Sequence, residues 1–220
     1  MERGSGDEVL GEARWPMVGA VLAAIVLTIL LPDEVRVGPK WLLPLVEGVL
    51  LVIVIVADPV TISRRTRELR SVSIVLVSVL VLATLWSTGL LIYDLIEGGP
   101  ETNSASDLLE AGSAIWLSNI IAFSLLYWEM DGGGAAARAH GIPRHDDFAF
   151  PQHSNPHLAS PEWRPRFVDY LYLGFTNATA FSPTDVMPLA PWAKMTMAVQ
   201  SVISIAILGL VIARAVNVFT

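Results

Sequence analysis

Between Thr179 and Asp185 the chain reads Thr179, Ala180, Phe181, Ser182, Pro183, Thr184, Asp185, inside the longer stretch FTNATAFSPTDVMP. Three hydroxyls and a carboxylate within seven residues are hard oxygen donors, the kind that hold or pass a cation. Apolar sequence flanks them on both sides. They belong either to a loop at a membrane surface or to a re-entrant segment beside a pathway. Further on, Gln200, Ser201 and Ser204 punctuate an apolar run, as cavity-lining or interhelical polar residues would. Glu47 lies in another such run, and an acid at membrane depth is a functional candidate by default. It also stands six residues past Trp41, about 9 Å along a helix, so it can equally reach headgroup water.

Other chemistry finds less support. His145, Asp146, Asp147, His153 and His157 fall within thirteen residues, but Pro156 interrupts the His153–His157 pair. No zinc-peptidase HExxH pattern occurs. The segment reads as an ordinary solvated loop, and no metal or cofactor is expected. The glycines Gly132 to Gly134 lack a Walker lysine and read as the end of a helix. With no cysteine, thiol catalysis and thiolate sites are excluded. The acids and histidines show no paired catalytic spacing inside an apolar run, so no enzyme is expected.

The elements that must position these residues are membrane helices. Hydrophobic residues make up 53% of the 220, charged residues 16%, and mean hydropathy is +0.56. That lies outside the soluble globular range. A net charge of −7 argues against nucleic acid as a partner. Five runs approach the ~20 residues a crossing helix needs. They are 16–31, 41–57, 71–95, 108–128 and about 193–216. Trp15, Trp41, Trp128 and Trp192 mark their ends, where indoles prefer the headgroup region, whereas Trp86 and Trp116 are expected between helices. No internal repeat relates the runs. The first fifteen residues carry three Glu and one Asp against two Arg, so no cleaved signal peptide is expected. Four arginines between Asp58 and Arg70 predict a cytoplasmic link there.

Residues 167–188, FVDYLYLGFTNATAFSPTDVMP, open with an apolar and aromatic run of half a crossing. From Trp163 to about Asn217 the chain resembles the pore module of the tetrameric potassium-channel superfamily. The likeness rests on FTNATA as a Thr-rich pore-helix end, on Asp185 as the acid after the filter, and on Pro188, Trp192 and Lys194 at the opening of the inner helix. It implies an outer helix at 108–128, a polar linker at 131–166, a re-entrant pore loop at 167–188 and an inner helix at 193–216. It also implies a homotetramer, with Tyr170 and Tyr172 in an aromatic layer around the pore helix.

The filter departs from that family. Where potassium channels carry TVGYG, this chain has Ala180, Phe181, Ser182, Pro183 and Thr184. Both glycines that permit positive φ are missing, and Pro183 fixes its own backbone. Ser204 replaces a hinge glycine, while Gly209 matches a second one. Either a fourfold ring of Thr179, Ser182, Thr184 and Asp185 handles a monovalent or divalent cation, or four Phe181 rings close the axis.

The expectation is an all-α integral membrane protein of the bacterial inner membrane. It has about five transmembrane helices plus a re-entrant pore helix and loop. Residues 1–107 form an N-terminal membrane region with three spans, and 108–220 form the channel-like module. The function read is a channel-like pore without potassium selectivity, the alternative a non-conducting scaffold or partner-binding subunit. The arginine count puts the pore loop's entrance on the cytoplasmic side, opposite to potassium channels.

Overall fold

The structure, a computed structural model, describes residues 11–58, 61–62, 67–97, 104–140, 145–155, 157, 159–160, 163–180 and 185–219. It is all-α apart from two short strand pairs. Helix α1 (Trp15–Leu30) has a proline in its first turn and stops at Leu31, whose extended backbone is what Pro32 imposes on its predecessor. After Gly38, at φ 65°, α2 (Leu42–Ala57) returns. Helix α3 (Arg67–Glu97) is the longest, 31 residues or about 46 Å at 1.5 Å per residue. Helix α4 (Ala105–Met130) starts at Ser104, whose hydroxyl accepts from the Asp107 N–H. It ends as expected in the glycine run, where Gly132 to Gly134 all have positive φ, and leads through a single 3-10 turn into α5 (Ala135–Ala139). The short α6 (Pro151–Ser154), α7 (Phe167–Ala180) and α8 (Pro191–Phe219) complete the chain.

Among the described residues, three helices, α3, α4 and α8, are long and apolar enough to cross a membrane. The apolar α1 and α2, at 16 residues each, are shorter than the ~20-residue crossing length. Helix α4 sits at the centre, packed against α1, α3, α7 and α8. Its inner residues Ile115, Phe123, Leu125 and Tyr127 are almost wholly buried.

One end of the bundle gathers the polar groups. Strands β1 (Glu12–Ala13) and β2 (Thr61–Ile62) pair antiparallel there, joining the approach to α1 to the α2–α3 link. Arg14 and Asp58 form an ion pair at 3.2 Å, both almost fully buried. Trp128, at the end of α4, donates its indole N–H to Glu12 at 2.9 Å. The chain therefore begins α1, ends α2, begins α3 and ends α4 at the same end.

Two tryptophans sit differently from expectation. Trp128 stands at the end of α4 as expected, but buried, with its indole bonded to Glu12. Trp86 is 60% exposed on the outer face of α3 and does not pack between helices of this chain. Around it Leu82 and Tyr93 are also exposed, and α8 presents Met195, Val199, Val202, Ile205 and Ile212 outward. Water would penalise apolar faces this continuous, whereas hydrocarbon would not.

Candidate functional site

Helix α7 is 14 residues long, about 21 Å, and begins at the polar end. Its first N–H groups, which have no partner within the helix, find two carboxylates. Phe167 N–H donates to Glu12, and Arg166 N–H donates to Asp169 at 2.7 Å, one half of a capping box. From there α7 descends between α4 and α8. Gly174 makes the contact with α4 close, since a Cβ at this position would lie 2.1 Å from Ser124 Oγ. Three residues later Asn177 donates to Met197 O at 3.0 Å, six residues into α8. Yet the chain that follows α7 is back at the polar end by β4 (Met187–Pro188), which pairs antiparallel with β3 (Phe148–Ala149). Helices α7 and α8 thus both begin at that end.

Where α4, α7 and α8 meet, a polar network is buried. Gln200 Oε1 accepts from Tyr127 Oη and from Asn177 Nδ2, each at 2.7 Å, and Gln200 Nε2 donates to Gly174 O at 3.0 Å. Ser201 donates to Asn177 Oδ1 at 3.2 Å. One turn deeper, Asn119 Nδ2 donates to Ser204 Oγ at 3.0 Å. Both polar atoms of the Gln200 amide group are bonded to partners on α4 and α7, which fixes the depth of α7 against α8. Gln200 and Ser204, expected on a cavity wall, are fully buried inside the chain. Position along a helix does not say which side a polar residue faces, and here the partners on α4 and α7 decide it.

Of the remaining sequence candidates, Thr179 is exposed and donates its hydroxyl to Phe175 O at 2.9 Å. Asp185 is exposed. Ala180 ends α7, and Phe181, Ser182, Pro183 and Thr184 lie outside the described residues. Tyr170 is fully buried, while Tyr172 is 53% exposed.

The linker is not a solvated loop throughout. Asp131, 2% exposed just past α4, accepts from Asp147 N–H at 2.9 Å, from Phe148 N–H at 3.3 Å and from the Tyr170 hydroxyl. Asp147 in turn accepts from Gly132 N–H at 3.1 Å and from the Trp192 indole at 3.0 Å, and its carbonyl receives Leu189 N–H at 2.8 Å. Phe148, fully buried, packs its ring against Tyr127, Trp192 and Tyr170 with centroids 5.4, 5.7 and 6.4 Å away. Arg138 donates to Trp128 O and Asp131 O at 2.8 and 2.6 Å while its guanidinium lies 5.1 Å from the Tyr170 ring centroid. These residues clamp the segment after 181–184 to the end of α4. The D-F-A-F alternation at Asp147 to Phe150, a half-buried strand pattern, is the sequence signal for it. Of the histidines, His153 lies 3.5 Å from Asp146, and its ring meets Phe150 and Trp163 edge-on, while His145 and His157 are exposed.

Burial raises the pKa of Glu12, against the opposing pull of the Phe167 and Trp128 donors and of Arg138 and Arg166. An acid with a raised folded-state pKa contributes stability that is complete below its unfolded value and is lost as pH rises through the folded value. Wild type should therefore lose thermal stability as pH climbs from the ordinary glutamate range through the raised value. Glu12→Gln should flatten that slope in a melting series across pH. An unchanged slope in the variant would assign the pH dependence to another group.

Comparison with known protein families, curated proteins and solved structures finds no match. The class defined by fold and site is an all-α chain with three helices able to cross a membrane. A short helix, α7, packs against α4 and is tied to α8 by buried polar contacts.

Proposed function

We propose that this is a channel-like membrane protein in which α7 is a re-entrant pore helix, Thr179 to Asp185 are the filter residues, and α4 and α8 are the outer and inner helices. The observation that carries this reading is the shared starting end of α7 and α8. The Glu12 cap holds the start of α7 there, and the β3–β4 pair holds the approach to α8. A helix too short to cross, returning through irregular backbone, is tolerated at membrane depth only inside protein or beside a water-filled cavity. In this proposal α1 and α2 cross as well, which makes five spans in a multi-pass bacterial inner-membrane protein. Four copies surround the axis as a homotetramer. The start of α1 and the start of α7 face the cytoplasm, in keeping with the four arginines that the sequence carries between Asp58 and Arg70. A fourfold ring of Thr179, Ser182, Thr184 and Asp185, without the glycines of a potassium filter, suits a monovalent or divalent cation held with part of its water.

A specific observation favours the second reading, a non-conducting scaffold or partner-binding subunit. With Gln200 and Ser204 turned inward, the free face of α8 is apolar, as in Val199, Val202 and Ile205. A cavity walled by that face gates by dewetting.

Flux from purified protein in liposomes, under K⁺, Na⁺, Cl⁻ and H⁺ gradients in turn, tests both. The channel reading expects cation flux that Asp185→Asn reduces and Phe181→Ala increases. Flux only in Phe181→Ala would make Phe181 a plug in a closed pore. Silence in both proteins would leave the scaffold, and a monomer in native mass measurements would sink both readings, because the C-terminal end of a half-crossing α7 would then meet lipid.

A further inference from the structure

Away from the α7 site, a cavity of about 20 Å³ lies among α1, α2, α3 and α4. One water needs roughly 10–15 Å³ on the same measure, so the space suits a single water-sized occupant. Glu47 lines it, fully buried, and neither of its carboxylate oxygens has a hydrogen-bond partner among the described residues. It does not reach headgroup water, one of the two readings its place in the sequence allowed. The other polar groups on the wall are Thr28, Thr84, Ser87, Ser118 and Arg36. Thr28 and Thr84 donate their hydroxyl protons to the carbonyls of Ala24 and Leu80, at 3.0 and 2.9 Å, so their oxygens have only lone pairs left to offer. Ser118 Oγ is also buried without a partner.

Arg36, from the α1–α2 connection, is the one other charged residue on the wall among the described residues; its terminal guanidinium nitrogens are engaged by Asp33 and by the Leu31 carbonyl, and its Nε is bonded to neither Glu47 oxygen. Asp33 itself is exposed at that end. No charged group from α1, α3 or α4 lines the cavity. Asp33 pairs with Arg36 outside the cavity wall, so the buried Glu47 carboxylate has no countercharge bonded to it among the described residues. A proton on Glu47 would supply one donor and the unpaired Ser118 hydroxyl one more, against two Glu47 oxygens and the lone pairs of Thr28 and Thr84. A spherical cation serves several oxygens together, and a divalent one would overshoot the deficit.

We propose that the Glu47 cavity binds one small monovalent cation of the lithium–sodium–potassium series, with the Glu47 carboxylate as its charged ligand and the Thr28 and Thr84 hydroxyls beside it. The site lies on other helices than the pore segment, and its test is separate from flux. The full chain in lipid nanodiscs is melted in LiCl, NaCl, KCl and choline chloride at equal ionic strength and fixed pH. A ligand that binds the folded state raises Tm with its concentration. The expected result is a saturable rise with one alkali cation that choline does not give. Glu47→Gln loses it, and Thr84→Val, which keeps the carboxylate, needs more cation for the same rise. Equal stabilisation by choline, or an undiminished response in Glu47→Gln, would overturn the site. So would a wild type stabilised by acid alone, with the alkali cations without effect, which would make the occupant a proton.

Discussion

Replacing Gly174 by leucine is expected to abolish the folded protein, and Gly174→Ala to destabilise it by about 1–3 kcal/mol, the usual cost of overpacking a closed contact. The new Cβ would lie 2.1 Å from Ser124 Oγ, 3.2 Å from Ile120 O and 3.3 Å from Ser124 Cβ. Ile120 O is helix backbone and cannot move aside alone, and Ser124 Oγ is tied to it by a 2.7 Å bond. The strain must therefore push α7 away from α4. That displacement pulls Gly174 O off Gln200 and loosens the Asn177 contacts, so the whole three-helix network weakens together. Ser124→Ala removes the nearest atom and should partly restore the Gly174→Ala protein, giving a favourable coupling in a double-mutant cycle. Melting of the four proteins in detergent measures it. Additive effects would mean that α7 does not rest on Ser124.

Asp131→Ala is the second large loss expected. It strips the acceptor from two backbone N–H groups and a buried tyrosine hydroxyl. An unsatisfied buried donor costs roughly 1–3 kcal/mol. With three donors released, the sum approaches the whole stability of an ordinary domain, about 5–15 kcal/mol. Asp131→Asn keeps one oxygen and should fall between. Tyr170→Phe releases no donor and should cost least of the three. Limited proteolysis of the 141–160 segment distinguishes local from global effects: rapid cleavage in Asp131→Ala with the helices intact would show that the clamp alone had opened. Wild-type resistance in Asp131→Ala would remove Asp131 from that role.

Much of the helical frame was legible because its signals are local. Apolar runs gave five of the helices to within a few residues, and Pro32 and the Gly132–Gly134 run stop α1 and α4 where their backbone constraints require. The short α7 was legible from its length, although its helix reaches Ala180, further than the apolar run alone suggests. What escaped depends on partners distant in sequence. Gln200 reads the same whether it faces an axis or Tyr127, 73 positions away. Asp147 reads as loop until Gly132 and Trp192 are seen to donate to it. Glu47 admitted two readings because six residues from Trp41 is within reach of an interface, and only the packing of α1, α3 and α4 around it encloses it.

The cap on α7 has a consequence in time. Glu12 and Phe167 are 155 positions apart. At about 5–20 residues per second of synthesis, Glu12 leaves the ribosome roughly 8–30 s before its partner. The β1–β2 pairing, with Ile62 opposite Glu12, is available far earlier. The N-terminal segment is therefore moored to the α2–α3 link first, holding its carboxylate at the bundle's end as a berth for a helix not yet made. Translation, and not the microsecond rate of helix formation, sets when α7 can dock.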